Sequence, residues 1–286
     1  MSMSETGMEL SVLPPDLDQK YTALRERLSG MGSVLVAYSG GADSALLARV
    51  AHDVLGDRAA AVTAVSASLA GSERRAAADL ARSIGIRHHE VTSHEIEDAD
   101  YVRNAPDRCF HCKKELFSIM ARKCREMGMR WSAYGAVTDD LGDVRPGMQA
   151  AESAGVVAPL LDAGIGKENV RTLSRHLSLP TWNKPASPCL ASRVPHGTPV
   201  RIELLRRVEK LEAYLHQRGF SVCRVRVEGE GARIEVEPRR VAELEAQLSR
   251  EELTREARRA GFLSVSVDPR GYRKPGTAPT LPIWRS

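Results

Sequence analysis

Five apolar residues in succession, Val34-Leu35-Val36-Ala37-Tyr38, run straight into Ser39-Gly40-Gly41-Ala42-Asp43-Ser44. A strand with one wet face alternates apolar and polar side chains, so an unbroken apolar run predicts a strand covered on both faces. Such a strand belongs in a parallel sheet with helices on either side, and the neighbouring sequence supplies them. Leu17, Tyr21, Leu24 and Leu28 share one helical face, with Gly30 as the expected stop. Helices are predicted over Ala45–Leu55, Ser72–Ile84, Cys109–Met127 and Lys167–Leu177. Strands are predicted over Ala59–Val65, Arg87–Val91, Arg130–Gly135 and Val156–Leu160. Strand and helix in turn specify an α/β fold, a doubly wound parallel sheet whose ligands bind at the carboxyl ends of its strands.

A break follows. Pro180, Pro185, Pro188, Pro195 and Pro199 crowd one stretch and exclude a regular helix or a central strand. Residues 180–199 are therefore expected to be a functional loop or linker between a domain at 1–179 and a smaller α+β domain at 200–286. The smaller domain should hold a helix over Val200–Arg218 and strands over Val222–Val227, Ala232–Val236 and Phe262–Val267. Pro238 can open one of its helices, and Ser249 with Glu252 can cap another that Gly261 closes.

Composition narrows the class. The chain is 42% hydrophobic and 27% charged, which excludes disorder throughout. No apolar run approaches the ~18 residues of a membrane span. The start, MSMSETGMELSVLPPD, shows no basic region followed by an apolar block, so a cytoplasmic location is expected. Lys and Arg number 41 against 37 acidic residues, an excess too small for a dedicated nucleic-acid binder. Aromatics at 5% also argue against base-stacking platforms.

The glycine-rich loop points to chemistry. Gly40 and Gly41 allow a tight bend and close approach of a ligand. The following helix offers N–H groups and the positive end of its dipole, and Ser39 and Ser44 add hydroxyls. Together these form a nest for a phosphate or pyrophosphate, although a tight turn that binds nothing has the same composition. The loop is neither a Walker A sequence nor GxGxxG.

Five cysteines in a chain of this type suggest metal binding or reactive thiols. Cys109 and Cys112, in Cys-Phe-His-Cys, share a helix face. The helix start and the adjacent Lys113 and Lys114 favour thiolate. The pair can bind a metal or cluster, form a redox disulfide, or be buried. Cys189, in KPASPCLASR beside Arg193, is a candidate nucleophile or ligand. Three thiolates suffice for a [4Fe–4S] cluster with one iron left open. Zinc is the competing metal. His111 points off the thiol face as a fourth ligand, whereas His196 is open to the role. Cys124 and Cys223 read as packing residues. Asp139 and Asp140, after a strand end, can hold Mg²⁺ or cap a turn. Arg193 can bind a nucleotide or substrate phosphate. Arg224 and Glu235 can form a substrate-phosphate pocket or an ion pair.

SGGADS resembles the pyrophosphate loop of the PP-loop, or N-type, ATP pyrophosphatases. Members of that superfamily adenylate a substrate oxygen, release pyrophosphate, and let a nucleophile displace AMP. The resemblance implies that Ser39, Gly40, Gly41, Asp43 and Ser44 hold the leaving pyrophosphate with Mg²⁺. It also implies that adenine lies along the first strand ends, near Ala37 and Ser66. Over most of its length the chain is similar to one PP-loop family, the LarE type, through VAYSGGADSALLA, RCFHCKKELF, YGAVTDDLGDVRPGMQAA and KPASPCLASRVPHGTPV. Gly135 joins the nucleotide set on this resemblance, although Ala136-Val137-Thr138 departs from the Thr-Asn pair that relatives favour after that glycine.

The LarE family makes the thiocarboxylates of the nickel-pincer nucleotide from pyridinium-3,5-biscarboxylic acid mononucleotide. In one branch the residue matching Cys189 gives up its own sulfur. In another, three cysteines hold a [4Fe–4S] cluster that carries the sulfur from sulfide or another donor, and Cys109, Cys112 and Cys189 match that pattern. ATP, Mg²⁺ and the cluster are the implied cofactors. A trimer or hexamer is the implied assembly. A tRNA thiolase, an ammonia-using synthetase and a non-enzymatic nucleotide-binding module are the competing readings. The first two lack an RNA-binding extension or a glutaminase domain, and the third leaves the cysteines unexplained.

Overall fold

A computed structural model describes residues 12–141 and 146–273. Part of the YGAVTDDLGDVRPGMQAA stretch, residues 142–145, and the end of the chain from 274 lie outside the described residues. Two compact units share the chain. One takes the residues up to Tyr101 with Asp107–Ser187, and the other takes Val102–Pro106 with the residues from Pro188 on.

The first unit begins with α1 (Pro15–Met31), β1 (Val34–Ala37), α2 (Ala42–Leu55), β2 (Ala59–Val65), α3 (Gly71–Ile84) and β3 (Arg87–Thr92). A one-turn α4 (Ala99–Val102) leads to α5 (Arg108–Glu126), β4 (Trp131–Ala133), α6 (Pro146–Ser153), α7 (Pro159–Asp162) and α8 (Lys167–His176). The four strands are parallel in the order β3-β2-β1-β4. Every residue of β1 is buried, for the reason its composition gives. Val34 and Val36 join the apolar cluster of α1, α2, α3 and α8, while Leu35 and Ala37 join that of α5 and α6. Helices thus cover both faces, and the sheet is the doubly wound α/β arrangement expected.

Local departures have local causes. α1 runs through Gly30 to Met31 and ends on Gly32, whose φ of 73° suits a helix stop. The strand expected at Val156–Leu160 shrinks to a single bridge, Ala133 to Val157, because Pro159 has no N–H for a ladder and opens α7 instead.

The second unit holds α9 (Ile202–Gln217), β5 (Cys223–Glu228), β6 (Gly231–Val236), α10 (Val241–Gln247), α11 (Arg250–Ala260) and β7 (Ser264–Val267). β6 pairs antiparallel with β5 and parallel with β7. Ser249 caps α11 by accepting the Glu252 N–H at 3.1 Å, and Gly261 ends that helix at a φ of 108°. No helix among the described residues is long and apolar enough to cross a membrane.

Candidate active site

In the strand order β3-β2-β1-β4, the chain leaves β1 for β2 on one side and later returns to β4 on the other. That reversal opens a crevice at the carboxyl ends of β1 and β4, where doubly wound sheets bind ligands. The glycine-rich loop leaves β1 there. Gly40 has a φ of 69° and lies buried against α3. A Cβ on it would sit 2.7 Å from Ala77 Cβ and 2.9 Å from Ala77 Cα, so only glycine satisfies both the turn and the contact. Gly135, just past β4, closes the other side. A Cβ there would meet Ser44 N at 3.0 Å and Asp43 Cβ at 3.3 Å. Ala37, Ser39, Gly40, Gly41, Asp43, Ser44 and Gly135 are therefore gathered at one crevice.

The two serines differ in their work. Ser44 Oγ accepts the Ser39 N–H at 3.2 Å, donates to Gly41 O at 3.2 Å, and lies 3.1 Å from Ser39 Oγ. It is buried and braces the loop, whereas Ser39 is exposed at its surface. Ser66, at the end of β2, donates to the buried Glu95 at 2.7 Å.

Lys184 is a residue that sequence reasoning missed. Its Nζ donates to Gly40 O at 3.0 Å and pairs with Glu73 at 2.7 Å. A cation thus rests on the loop that would receive a pyrophosphate. The available signal was its place at the head of KPASPCLASR, but a single lysine among prolines has no periodicity to mark it.

Asp139 Oδ2 accepts the Lys167 N–H at 2.8 Å at the start of α8. Asp140 Oδ2 accepts the Val137 N–H at 3.1 Å, and its Oδ1 lies 3.9 Å from Lys167 Nζ. Both carboxylates shape the turn after β4.

All five cysteines are thiols. Cys109 and Cys112 occupy the first turn of α5, three residues apart on one face. Cys109 and Cys189 are exposed and Cys112 is half-buried, so none of the three is a core residue. Cys109 and Cys112 present two sulfur donors on one helix face, the chemistry of a soft metal or cluster. Cys124 is buried, 3.1 Å from Ser132 Oγ, and burial pushes the Cys223 thiol well up, as packing residues require. His111 turns toward Asp98 and Asp107, and His196 Nδ1 toward Asn104 O at 3.2 Å.

Arg193 is engaged by protein acceptors. It is 3% exposed, and its guanidinium is taken up within the second unit. It holds Glu212 in two contacts of 2.9 and 3.1 Å and donates to Cys189 O at 3.1 Å, Ser192 Oγ at 3.0 Å and Pro188 O. Glu212 Oε1 also accepts the Val225 N–H at 2.9 Å. Arg193 therefore anchors the Cys189 loop to α9 through Glu212. Glu235 belongs to an ion-pair network, 3.1 Å from Arg226 and 2.9 Å from Arg233. Arg224 is buried over the Tyr272 ring, and that burial lowers its pKa.

A braced glycine loop at the switch point of a parallel sheet is the arrangement of a nucleotide-binding α/β enzyme. Residues 19–120 match the family described as asparagine synthase. The chain is 33% identical to the pyridinium-3,5-bisthiocarboxylic acid mononucleotide synthase of Lactiplantibacillus plantarum, over 90% of this chain and 93% of that one. It is 41% identical to an uncharacterised protein of Synechocystis, over 90% of this chain and 96% of that one. It is 26% identical to a glutamine-hydrolysing GMP synthase chain of Archaeoglobus fulgidus over 66% of each chain. The chain belongs to the LarE family of ATP-dependent sulfurtransferases.

Proposed function

We propose that this enzyme adenylates a carboxylate of pyridinium-3,5-biscarboxylic acid mononucleotide and replaces the AMP with sulfur, giving a thiocarboxylate of the nickel-pincer nucleotide. The observation that carries this reading is the crevice loop with Lys184 lying on it, in a chain with three cysteines outside its core. A carboxylate oxygen attacks the α-phosphorus of ATP, the bond to the β-phosphate oxygen breaks, and pyrophosphate leaves. The loop, the N-terminus of α2 and Lys184 meet the negative charge that develops on the leaving group. Mg²⁺ shares that charge, with Asp140 as its proposed protein ligand. A sulfur nucleophile then attacks the carbonyl carbon, the carbon–oxygen bond to AMP breaks, and the thiocarboxylate remains.

Cys109, Cys112 and Cys189 would hold a [4Fe–4S] cluster. Such a cluster, when bound, supplies sulfide at its open iron. Sulfide or a sulfur-donating partner replenishes it, and the enzyme works as a homotrimer or hexamer in the cytoplasm. The exposure of Cys189 favours a second reading. Its thiolate displaces AMP to form a thioester. Loss of the Cα proton with cleavage of the Cβ–S bond then leaves the thiocarboxylate and dehydroalanine.

Protein purified without oxygen should be assayed for iron and acid-labile sulfide beside Cys109→Ala and Cys189→Ala. About four irons and four sulfides per chain, lost in both variants, support the cluster. Metal-free protein that converts the biscarboxylate, with Cys189 lighter by one H₂S after turnover, establishes the second reading instead. Failure to form AMP with this substrate overturns the proposal.

A further inference from the structure

Asn104 is fully buried and holds a φ of 58°, one of two non-glycine residues among those described with a left-handed backbone. Asparagine tolerates that conformation better than most side chains. What it holds explains the position. Its Nδ2 donates to Pro195 O at 2.8 Å and Thr198 O at 2.9 Å, with Val194 O at 3.4 Å. Its main-chain carbonyl accepts the Gly197 N–H at 3.1 Å, and His196 Nδ1 lies 3.2 Å from the same oxygen. Two residues earlier, Val102 O accepts the Val200 N–H at 2.9 Å. The chain from Val194 to Thr198 is thus held by Asn104, and Val102 takes up its continuation at Val200.

That stretch continues directly from the Cys189 loop. Cys189 precedes a short 3-10 turn, Leu190–Arg193, which Arg193 and Glu212 tie to α9. No helix or strand holds the residues between Arg193 and α9. Asn104 is the side chain that gives them a fixed path. An aspartate keeps the size but lacks the donors and sets a carboxylate against carbonyl oxygens. A glycine keeps the backbone freedom and loses every side-chain bond.

We propose that Asn104 is a positioning residue for Cys189, holding the downstream arm of its loop so that sulfur reaches the acyl-adenylate before water does. The inference rests on the sulfur-transfer reading. It predicts uncoupling rather than simple loss, because adenylation is assigned to the other unit, whereas capture of the adenylate needs Cys189 in place.

The test compares Asn104→Asp and Asn104→Gly with the parent in the full chain, measuring AMP and thiocarboxylate together with melting and tryptic cleavage after Arg201. The expected result is AMP formation within about twofold of the parent and a thiocarboxylate-to-AMP ratio lower by about tenfold or more, the scale of a misplaced reacting group. Cleavage after Arg201 should quicken without a matching loss of global stability. A parental ratio in a folded variant overturns the proposal, as does an equal fall in both products. If both variants fail to fold, His196→Ala loosens the same carbonyl, and an unchanged ratio there overturns it as well. If the parent forms no AMP, the sulfur-transfer reading falls, and an unchanged cleavage rate after Arg201 in the variants overturns the loop clamp.

Discussion

Gly40→Ala tests whether the glycine loop is held by the contact the fold imposes. The new Cβ meets Ala77 Cβ at 2.7 Å and Ala77 Cα at 2.9 Å, at a φ of 69°. A left-handed backbone costs an alanine about 1–2 kcal/mol. Forcing a methyl into packed neighbours costs about 1–3 kcal/mol more. The sum, about 2–5 kcal/mol, corresponds to a melting temperature lower by roughly 4–20 °C in a unit of this size. Gly41→Ala is the control, since Gly41 has a φ of −78° and its Cβ would meet only Ser39 Oγ at 3.3 Å. That variant should melt close to the parent. The double variant Gly40→Ala/Ala77→Gly should recover part of the loss, because the methyl–methyl contact disappears while the contact to Ala77 Cα and the strained φ remain. Thermal melting followed by circular dichroism reads all three. A Gly40→Ala protein melting within about 1 °C of the parent would refute the reasoning, since it would show that the loop can leave α3 at no cost.

Two further predictions follow from single contacts. Lys184→Met should fold, because Lys184 is half-buried and its partners among the described residues are just Gly40 O and Glu73. It should lower kcat/KM for ATP by about ten- to hundredfold, as expected for a charge-assisted bond of ~1.5–3 kcal/mol, and unchanged ATP kinetics would remove Lys184 from the site. Stability should fall as pH drops below the ordinary histidine value of 6.5, because burial lowers the pKa of both His88 and His89. The unfolded chain then binds protons that the folded one resists, so the histidine contribution is complete above 6.5 and shrinks below it. Urea midpoints for the parent and His88→Gln across that range check the sign, and parallel profiles would contradict it.

The sequence alone determined the architecture and the place of the loop. Five apolar residues without alternation can be satisfied only by cover on both faces, and β1 divides its side chains between two apolar clusters accordingly. The helical start of Cys109–Cys112 and the cap at Ser249 were legible because their signals are local, a spacing of three and a hydroxyl ahead of a helix. Only the tertiary structure decided which charged side chains were already spent. Arg193 meets Glu212 only because folding brings α9 to it, and Lys184 reads as nothing until it lies on Gly40. Val102–Pro106 joins the second unit although its neighbours on both sides belong to the first. Periodicity and capping are encoded within a few residues of chain. The partner of a buried charge is encoded nowhere near it, and becomes readable only when folding brings distant segments within hydrogen-bonding distance.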